Sequence, residues 1–548
     1  MNNRQIRQRA LAMLAAAAVV AVFAPAAAGR AATARTRPAA GTGVGVLRLA
    51  DEGISEPGSL DPVLFDGQSL VVDNTMYNGL LKLNAHLLPV PDLAGGYTVS
   101  RDGLTYTFTL RSGARFSDGA PVTASDAAWS LTRMLAPQLS NGGAIGYFGM
   151  IAGAAAYNNG NARDVSGIRA LDARRVRVTL AYRAGYFPDV MTMMFASILE
   201  KKAVLRYGNA YNTKWTEHAV GAGPFALHTW THNQSVSVAP NTYYYGGRPR
   251  LTRIDIPFIA SPDTAYNAYQ TSAIDVMGVN HFPSDRIGSA MGHQDFHGGP
   301  KLEVDYLTLN EKKVPFNNAL VRLAFSQAVD RDLLARAAPG TVSPTDRILP
   351  PGLPGYDARL RVPGFNVAQA RADLARAGYA GGRGLAKITY TYSATGADED
   401  RRARLLQAMW KQYLGVNVAL NSQELSAYNN TLTARDFQIG LIQSGADYPD
   451  PQDFLSLSLV SGGAGNNGGY SDHTFDSLVR TADSIVGDHA RRYRLYAQAE
   501  GRALDQAAVI PLANERNTVL VKPWAHNFIV TALPGLVPDW ASVSVSGH

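Results

Sequence analysis

The chain has 548 residues and no cysteine, and its formal net charge is +7. The lack of cysteine excludes disulfides, thiolate metal ligands, a cysteine nucleophile and a lipid-modified cysteine. Six of the positive charges are arginines within the first 45 residues, so the rest of the chain is nearly neutral. We therefore expect no nucleic-acid partner, because such partners are bound through clustered basic residues.

Residues 1–28 have the pattern of a secretory signal peptide. Three arginines precede an apolar run from Leu11 to Ala24, and Ala26 to Ala28 suit a cleavage site. The apolar run is shorter than the roughly 20 residues that a membrane-spanning helix needs, although a retained membrane anchor is the alternative. We expect a periplasmic protein, or alternatively a secreted one, since no cysteine is available for a lipid anchor.

The residues after the signal peptide divide into a linker and a large folded body. Residues 29–43 are small and polar, and we expect this linker to be disordered. Roughly 500 residues follow, which is more than one hydrophobic core usually supports. We therefore expect two or three domains.

The first clear elements of the body are a strand and a helix. Residues 104–116 alternate apolar side chains and reach a turn at Ser112-Gly113, which predicts a β-hairpin. Thr123 and Asp126 have the spacing of a capping box, so a helix is predicted to begin there.

Later segments continue to alternate between strands and helices. Strands are predicted at 175–180 and 253–259, and helices at 317–337 and 367–378. The helix predicted at 398–415 lies between the β-rich segments ITYTYS and VNVALN, which predicts a strand–helix–strand unit. This alternation predicts α/β or α+β lobes in which helices cover the sheets.

The sequence contains no recognisable catalytic motif. It lacks the phosphate-binding loop, the GxSxG nucleophile elbow and the HExxH zinc motif. His293 and His297, with His281 nearby, could bind a metal from a helix, but flanking glycines favour a solvated loop. Tyr243 to Tyr245 supply amphipathic surface that suits a binding cleft, with ordinary packing as the alternative. We expect neither an enzyme nor a cofactor or metal.

Residues 94–134 carry the most specific pattern, AGGYTVSRDGLTYTFTLRSGARFSDGAPVTASDAAWSLTRM. This segment resembles the signature region of the oligopeptide- and dipeptide-binding family of ABC importers, extracellular solute-binding protein family 5. The resemblance continues in the same order to near the C-terminus, through residues 221–230, 309–334, 446–479 and 495–528.

The resemblance implies an α/β fold of the periplasmic-binding-protein-like type (type II, cluster C), with two lobes, an extra domain and a hinge. Domain I would be assembled from residues 44–77, 218–307 and 514–548. Domain II would be 78–217, and domain III would be 308–513. Domains I and III would close on the ligand through two crossing segments.

The resemblance also implies a function. The protein would be the substrate-binding component of an ABC importer, a monomer that binds peptides in an interlobe cleft and delivers them to a membrane permease and ATPase complex. Relatives with this fold take sugars, opines, nickel complexes or haem, so a non-peptide solute is the alternative. A secreted hydrolase is a third hypothesis, which rests only on export and on carboxylates.

Site residues follow from the same resemblance. In peptide-binding members an aspartate of the ADY segment pairs with the N-terminal ammonium of the peptide, and Asp447 matches it. The segment from Gln443 to Ala446 would offer backbone groups to an extended peptide. The expected ligand-binding residues are Asp66, Ser444, Gly445, Ala446, Asp447, Tyr448 and Asn514.

The sequence departs from the oligopeptide-binding pattern at three places. Leu441 stands where the family has an arginine, and Ser444 stands where it has a tryptophan. Ala513, Asn514 and Glu515 replace a run of tyrosines. The cation for a peptide C-terminal carboxylate therefore has no counterpart at the family's position.

Overall fold

A computed structural model describes residues 45–52, 56–64, 69–278, 282–394 and 396–547. The predicted signal peptide (1–28), the predicted linker (29–43), Asp66 and His281 lie outside these ranges. Within them, no helix combines the length and the hydrophobicity that crossing a membrane requires.

The strands are numbered in chain order. They are β1 (Val46–Arg48), β2 (Asp51–Glu52), β3 (Leu81–Leu83), β4 (Pro89–Pro91), β5 (Ala94–Val99), β6 (Thr105–Leu110), β7 (Ile168–Ala170), β8 (Arg175–Thr179), β9 (Phe225–Thr231), β10 (Ser235–Pro240), β11 (Arg253–Ile259), β12 (Val276–Met277), β13 (Phe296–Leu309), β14 (Val342–Pro344), β15 (Ile388–Ser393), β16 (Val418–Gln423), β17 (Ile439–Gly445), β18 (Val509–Val521), β19 (Ala525–His526) and β20 (Ser544–Val545).

The α-helices are numbered in the same way. They are α1 (Leu70–Met76), α2 (Ala124–Arg133), α3 (Ala144–Phe148), α4 (Ala154–Asn158), α5 (Phe187–Val190), α6 (Lys201–Arg206), α7 (Pro262–Gln270), α8 (Ile287–Ala290), α9 (Ala319–Gln327), α10 (Arg331–Ala337), α11 (Val367–Arg376), α12 (Ala397–Leu414), α13 (Leu425–Ala434), α14 (Pro451–Leu459), α15 (His473–Ser484) and α16 (His489–Asp505). Short 3-10 helices lie at Pro137–Gly142, Met194–Ala196, Lys214–His218, Ser284–Arg286, Ala380–Gly382 and Trp540–Ser542.

Three sheets form the framework of the described chain. A five-stranded sheet has the order β1-β11-β10-β9, with β2 pairing on β11. A four-stranded antiparallel sheet has the order β5-β6-β8-β7. A seven-stranded sheet has the order β12-β18-β13-β17-β15-β16, with β14 pairing on β18. The predicted mixture of strands and covering helices is confirmed.

Each sheet buries its own apolar cluster, because alternate strand residues point to one face. Ile254 lies in the core of the five-stranded sheet, Phe108 in that of the four-stranded sheet, and Leu441 in that of the seven-stranded sheet. Separate clusters of this kind are typical of a protein built from several lobes.

Two long strands, β13 and β18, connect the lobes. They pair antiparallel from Phe296 opposite Leu520 to Thr308 opposite Val509, with two irregularities between. At one end of β18, Val519 and Val521 pack in the core of the five-stranded sheet. At the other end, Ile510 packs in the core of the seven-stranded sheet. Such a pair of crossing strands suits a hinge between lobes.

Most local predictions are confirmed. β11 covers residues 253–259, and α11 lies within the predicted helix 367–378. The Asp126 N–H donates to the Thr123 hydroxyl and the Thr123 N–H donates to the Asp126 carboxylate, each at 3.2 Å, which is the predicted capping box. The predicted strand–helix–strand unit is β15–α12–β16, with parallel strands.

Two local predictions are wrong. The helix predicted at 317–337 is two helices, α9 and α10, because Asp330 has an extended backbone and its carboxylate accepts the Leu333 N–H at 2.9 Å, which starts a new helix. The strand ending before Ser112-Gly113 forms no hairpin there, because β6 pairs instead with β5 and with the distant β8.

Candidate ligand-binding cleft

β17 has an edge that no strand covers along much of its length. On one side it pairs antiparallel with β13, from Ile439 opposite Leu309 to Gly445 opposite Glu303. On the other side β15 reaches only Ile439 and Gly440. Beyond Gly440, no strand of the described ranges pairs with this edge.

The alternation of hydrogen bonds determines which backbone groups face the open edge. The Ala446 N–H donates to a carbonyl of the β13 strand at 2.8 Å, so even-numbered residues of this segment face β13. On the opposite side, the Leu441 N–H donates to the Tyr428 hydroxyl, which donates to the Leu441 carbonyl, both at 2.7 Å. The N–H and C=O groups of Gln443 and Gly445 therefore point out of the open edge.

Asp447 lies just beyond the end of β17. Its backbone N–H donates to the Asp453 carboxylate at 2.7 Å, and its own carboxylate accepts the Tyr147 hydroxyl at 2.6 Å. The side chain keeps contact with solvent, yet the surrounding protein desolvates the carboxylate and raises the pKa of Asp447 to about 6, against the opposing effect of the Tyr147 hydrogen bond. Asp447 forms no ion pair within the described chain.

Two further carboxylates of this segment differ from Asp447 in their partners. Asp450 begins α14 and receives two hydrogen bonds from the Arg492 guanidinium, both at 2.6 Å, so its charge is already compensated. Asp453 is buried, and both burial and the neighbouring Asp447 raise its pKa well above the usual range. Of these three carboxylates, Asp447 is therefore the exposed one, and it has no cationic partner within the described chain.

Tyr147 comes from a different lobe than Asp447. It lies on α3, which packs in the core of the four-stranded sheet. Its ring is stacked on Phe195 with centroids 5.9 Å apart and meets the edge of Tyr448 at 6.1 Å. Sequence analysis missed Tyr147, because 300 residues separate it from Asp447 and no local pattern links them.

The structure brings most predicted site residues together. Gly445 and Asp447 are exposed, and Ala446 is half-buried. Ser444 and Tyr448 are buried, so their side chains pack inside the protein and do not face a ligand at the open edge. The Tyr448 hydroxyl donates to the Gln452 side chain.

Asn514 lies on β18, and β13 separates that strand from β17. Asn514 and Ser444 both pair with Val304 of β13, one from each side. The Asn514 side chain is buried, and its amide donates to the Glu303 carbonyl at 3.4 Å. The placement of the predicted site residue Asp66 is not described.

The histidine pair considered for metal binding does not lie on a helix. His293 is in a turn, and His297 is the second residue of β13. Nδ1 of His293 lies 3.7 Å from the Asp295 carboxylate. Among the residues whose structure is described, no three histidine, aspartate or glutamate side chains are arranged to hold a metal ion.

A cavity of about 720 Å³ lies away from Asp447, at the start of β13. Its walls include Gly298, Pro300, Asn517 and Ile529. The described lining residues include no aspartate, glutamate, lysine or arginine. The described lining of this cavity offers no carboxylate to a cationic ligand group, which favours the β17 edge as the candidate site.

Comparison with known proteins shows close similarity in sequence. The family model for the middle region of bacterial extracellular solute-binding proteins, family 5, matches residues 89–466. The periplasmic oligopeptide-binding protein OppA of Salmonella typhimurium is 30% identical over 86% of this chain and 88% of its own length. The probable deoxycholate-binding periplasmic protein YgiS of Escherichia coli is 29% identical over 86% of this chain and 89% of its own length.

The similarity extends to the three-dimensional structure. The periplasmic murein tripeptide-binding protein MppA in its unliganded open form superposes with a TM-score of 0.81, at 26% identity over 92% of this chain and 98% of that one. Another structure of MppA, from Escherichia coli, superposes with a TM-score of 0.72. The chain belongs to family 5 of the bacterial extracellular solute-binding proteins.

Proposed function

We propose that this protein is the substrate-binding component of an ABC importer, which binds peptides between its lobes and delivers them to a membrane permease and its ATPase. The observation that carries this proposal is the position of Asp447, an uncompensated carboxylate beside an open strand edge. A peptide supplies both complements, an N-terminal ammonium for Asp447 and an extended backbone for Gln443 and Gly445. Main-chain recognition of this kind tolerates varied side chains.

The proposed mechanism is closure around the ligand. The presence of three sheets with separate apolar cores supports a division into domain I (44–77, 218–307 and 514–548), domain II (78–217) and domain III (308–513). The seven-stranded sheet crosses this division, since β12 and most of β13 would belong to domain I. Bending of β13 and β18 would bring the lobes together. The hydrogen bond between Tyr147 and Asp447 already joins two of them.

We further propose that the protein acts by binding alone and is not an enzyme. Membership of a family of solute-binding proteins supports this view. We also propose export through residues 1–28, a periplasmic location and a monomeric state. The periplasmic relatives OppA and YgiS support that location.

A panel of ligands tests the proposed function. Calorimetry at pH 7 with mixed di- to pentapeptides should give heat of binding, and ligand at about 100 times Kd should raise the free energy of unfolding by about 2.7 kcal/mol. Deoxycholate, sugars and Ni²⁺ serve as the competing solutes. Absence of heat and an unchanged Tm with every peptide pool, together with binding of one of these solutes, would establish the non-peptide alternative.

Peptide affinity should depend on pH through Asp447. The pKa of Asp447 is about 6 without ligand, and a bound ammonium favours the ionised form, so affinity is nearly full at pH 7 and falls as the pH drops through 6. Trialanine should bind about tenfold more weakly at pH 5 than at pH 7. Calorimetry at both values measures this difference. The Asp447→Asn variant should lack it, and equal wild-type affinities at pH 5 and pH 7 would contradict the assignment.

A further inference from the structure

A group of charged side chains lies on β13 and β18, the two strands that follow β17 on the side away from its open edge, and on α12. Lys301, Glu303 and Asp305 alternate along β13, so their side chains point to one face. Nζ of Lys301 is 2.5 Å from the Glu303 carboxylate, and Arg402 of α12 pairs with Asp305. Glu515 of β18 completes the group, which we call the β13 charge cluster.

The β13 charge cluster holds more carboxyl groups than cations. Glu303, Asp305 and Glu515 lie beside Lys301 and Arg402, and Arg402 also pairs with Glu399 of α12 at 3.6 Å. The Glu515 carboxylate forms neither a hydrogen bond nor an ion pair within the described chain. Burial and the neighbouring carboxylates of Asp305 and Glu303 raise the pKa of Glu515 well above the usual range. An added cation would favour the ionised form of Glu515.

A second observation shows an unused hydrogen-bonding group inside the cluster. Asp305 is fully buried, and while one carboxylate oxygen accepts from Arg402, the other, Oδ1, has no hydrogen-bond partner. Nε of Arg402 is likewise buried without a partner. Buried polar atoms are normally paired, so these two unpaired atoms show that hydrogen bonding inside the cluster is incomplete.

Two members of the cluster are partly exposed, and Gly445 places no side chain between Glu303 and the open edge; the exposed side-chain fractions of Lys301 and Glu303 are 24% and 17%. Glu303 lies directly opposite Gly445. A Cβ built on Gly445 would lie 3.9 Å from Cγ of Glu303. The Glu303 side chain therefore lies next to the position that a side chain at residue 445 would occupy. A peptide paired with the open edge of β17 lies on the other side of Gly445 from Glu303. A long peptide side chain that crosses Gly445 towards β13 would meet Glu303.

We infer that the β13 charge cluster binds the cationic side chain of a bound peptide, that of lysine or arginine. The inference rests on the proposed peptide-binding function and adds a preference to it. Glu303 contacts the incoming cation at the edge, and Glu515, whose ionised form the cation stabilises, lies behind it. An ammonium or guanidinium group forms charge-assisted hydrogen bonds with such carboxylates. Glu515 is thus a specificity-determining residue.

Calorimetry with matched tripeptides tests the inference. Lysine is placed at each position of trialanine in turn, and norleucine, which has the same four side-chain carbons without the terminal ammonium, replaces it in the control peptides. At least one lysine peptide should bind tenfold or more tightly than its norleucine counterpart. In Glu515→Gln that preference, measured as the ratio of lysine-peptide to norleucine-peptide affinity within the variant, should fall at least threefold. Asp436→Asn, which removes the same charge from an exposed site, should keep the preference.

The outcomes separate this inference from the proposed function. If trialanine binds but lysine gives no advantage at any position, or if Glu515→Gln leaves the advantage intact, the inference is wrong and the peptide-binding function stands. If no peptide of the set binds, including trialanine, the proposed function fails and the inference fails with it.

Discussion

Asp447→Asn should weaken the binding of trialanine by about 1.5–3 kcal/mol, roughly 10- to 150-fold. The substitution keeps the shape of the side chain but removes the charge that would pair with the N-terminal ammonium. Because Asp447 has no cation of its own in the described chain, no buried partner is left uncompensated, and stability should not fall. Calorimetry and thermal unfolding measure the two effects.

Two controls define the result for Asp447. N-acetyl-trialanine lacks the ammonium, so it should bind weakly to the wild type and show little further loss in Asp447→Asn. Asp436→Asn changes an exposed carboxylate that pairs with Lys313, and it should leave affinity unchanged. An Asp447→Asn variant that binds trialanine as tightly as the wild type would refute the assigned role of Asp447.

Gly445→Pro should weaken peptide binding by about 1–3 kcal/mol, because proline removes an N–H that a peptide carbonyl would otherwise accept. The Gly445 N–H points away from β13, so proline breaks no hydrogen bond of the existing sheet, and proline is tolerated at such edge positions. Thermal unfolding should show a fold that remains intact. Calorimetry with trialanine measures the loss of affinity.

Gly445→Ala is the matched control for the proline variant. Alanine keeps the N–H, and its Cβ would make an ordinary contact with Cγ of Glu303 at 3.9 Å. Its affinity for trialanine should therefore stay within a few-fold of the wild type. Equal losses in the alanine and proline variants would indicate steric exclusion and would contradict binding as an added strand.

Features set by neighbouring residues could be predicted from the sequence. The capping box of Thr123 and Asp126 and the limits of β11 depend on residue types a few positions apart, and both are confirmed. The division of the predicted helix 317–337 at Asp330 also has a local cause, since aspartate is a preferred N-cap residue. That signal was present in the sequence and was outweighed by the apolar periodicity around it.

Features set by distant residues could not be predicted in this way. The turn at Ser112-Gly113 predicted that the next segment would pair with β6. Instead β6 pairs with β8, which begins more than 60 residues later, so the predicted hairpin is wrong. Tyr147 meets Asp447 only because two lobes come together. Family resemblance found Asp447, but the cluster of Glu303, Asp305 and Glu515 appears only when β13 and β18 are paired.

Mass spectrometry of the ligand that the protein retains after gentle purification tests the central claim most directly. If the protein binds peptides through Asp447 and the β17 edge, the released material should be a set of short peptides with free N-termini and varied side chains. A single non-peptide solute, such as a bile acid, a sugar or a metal complex, recovered in stoichiometric amount, would contradict it.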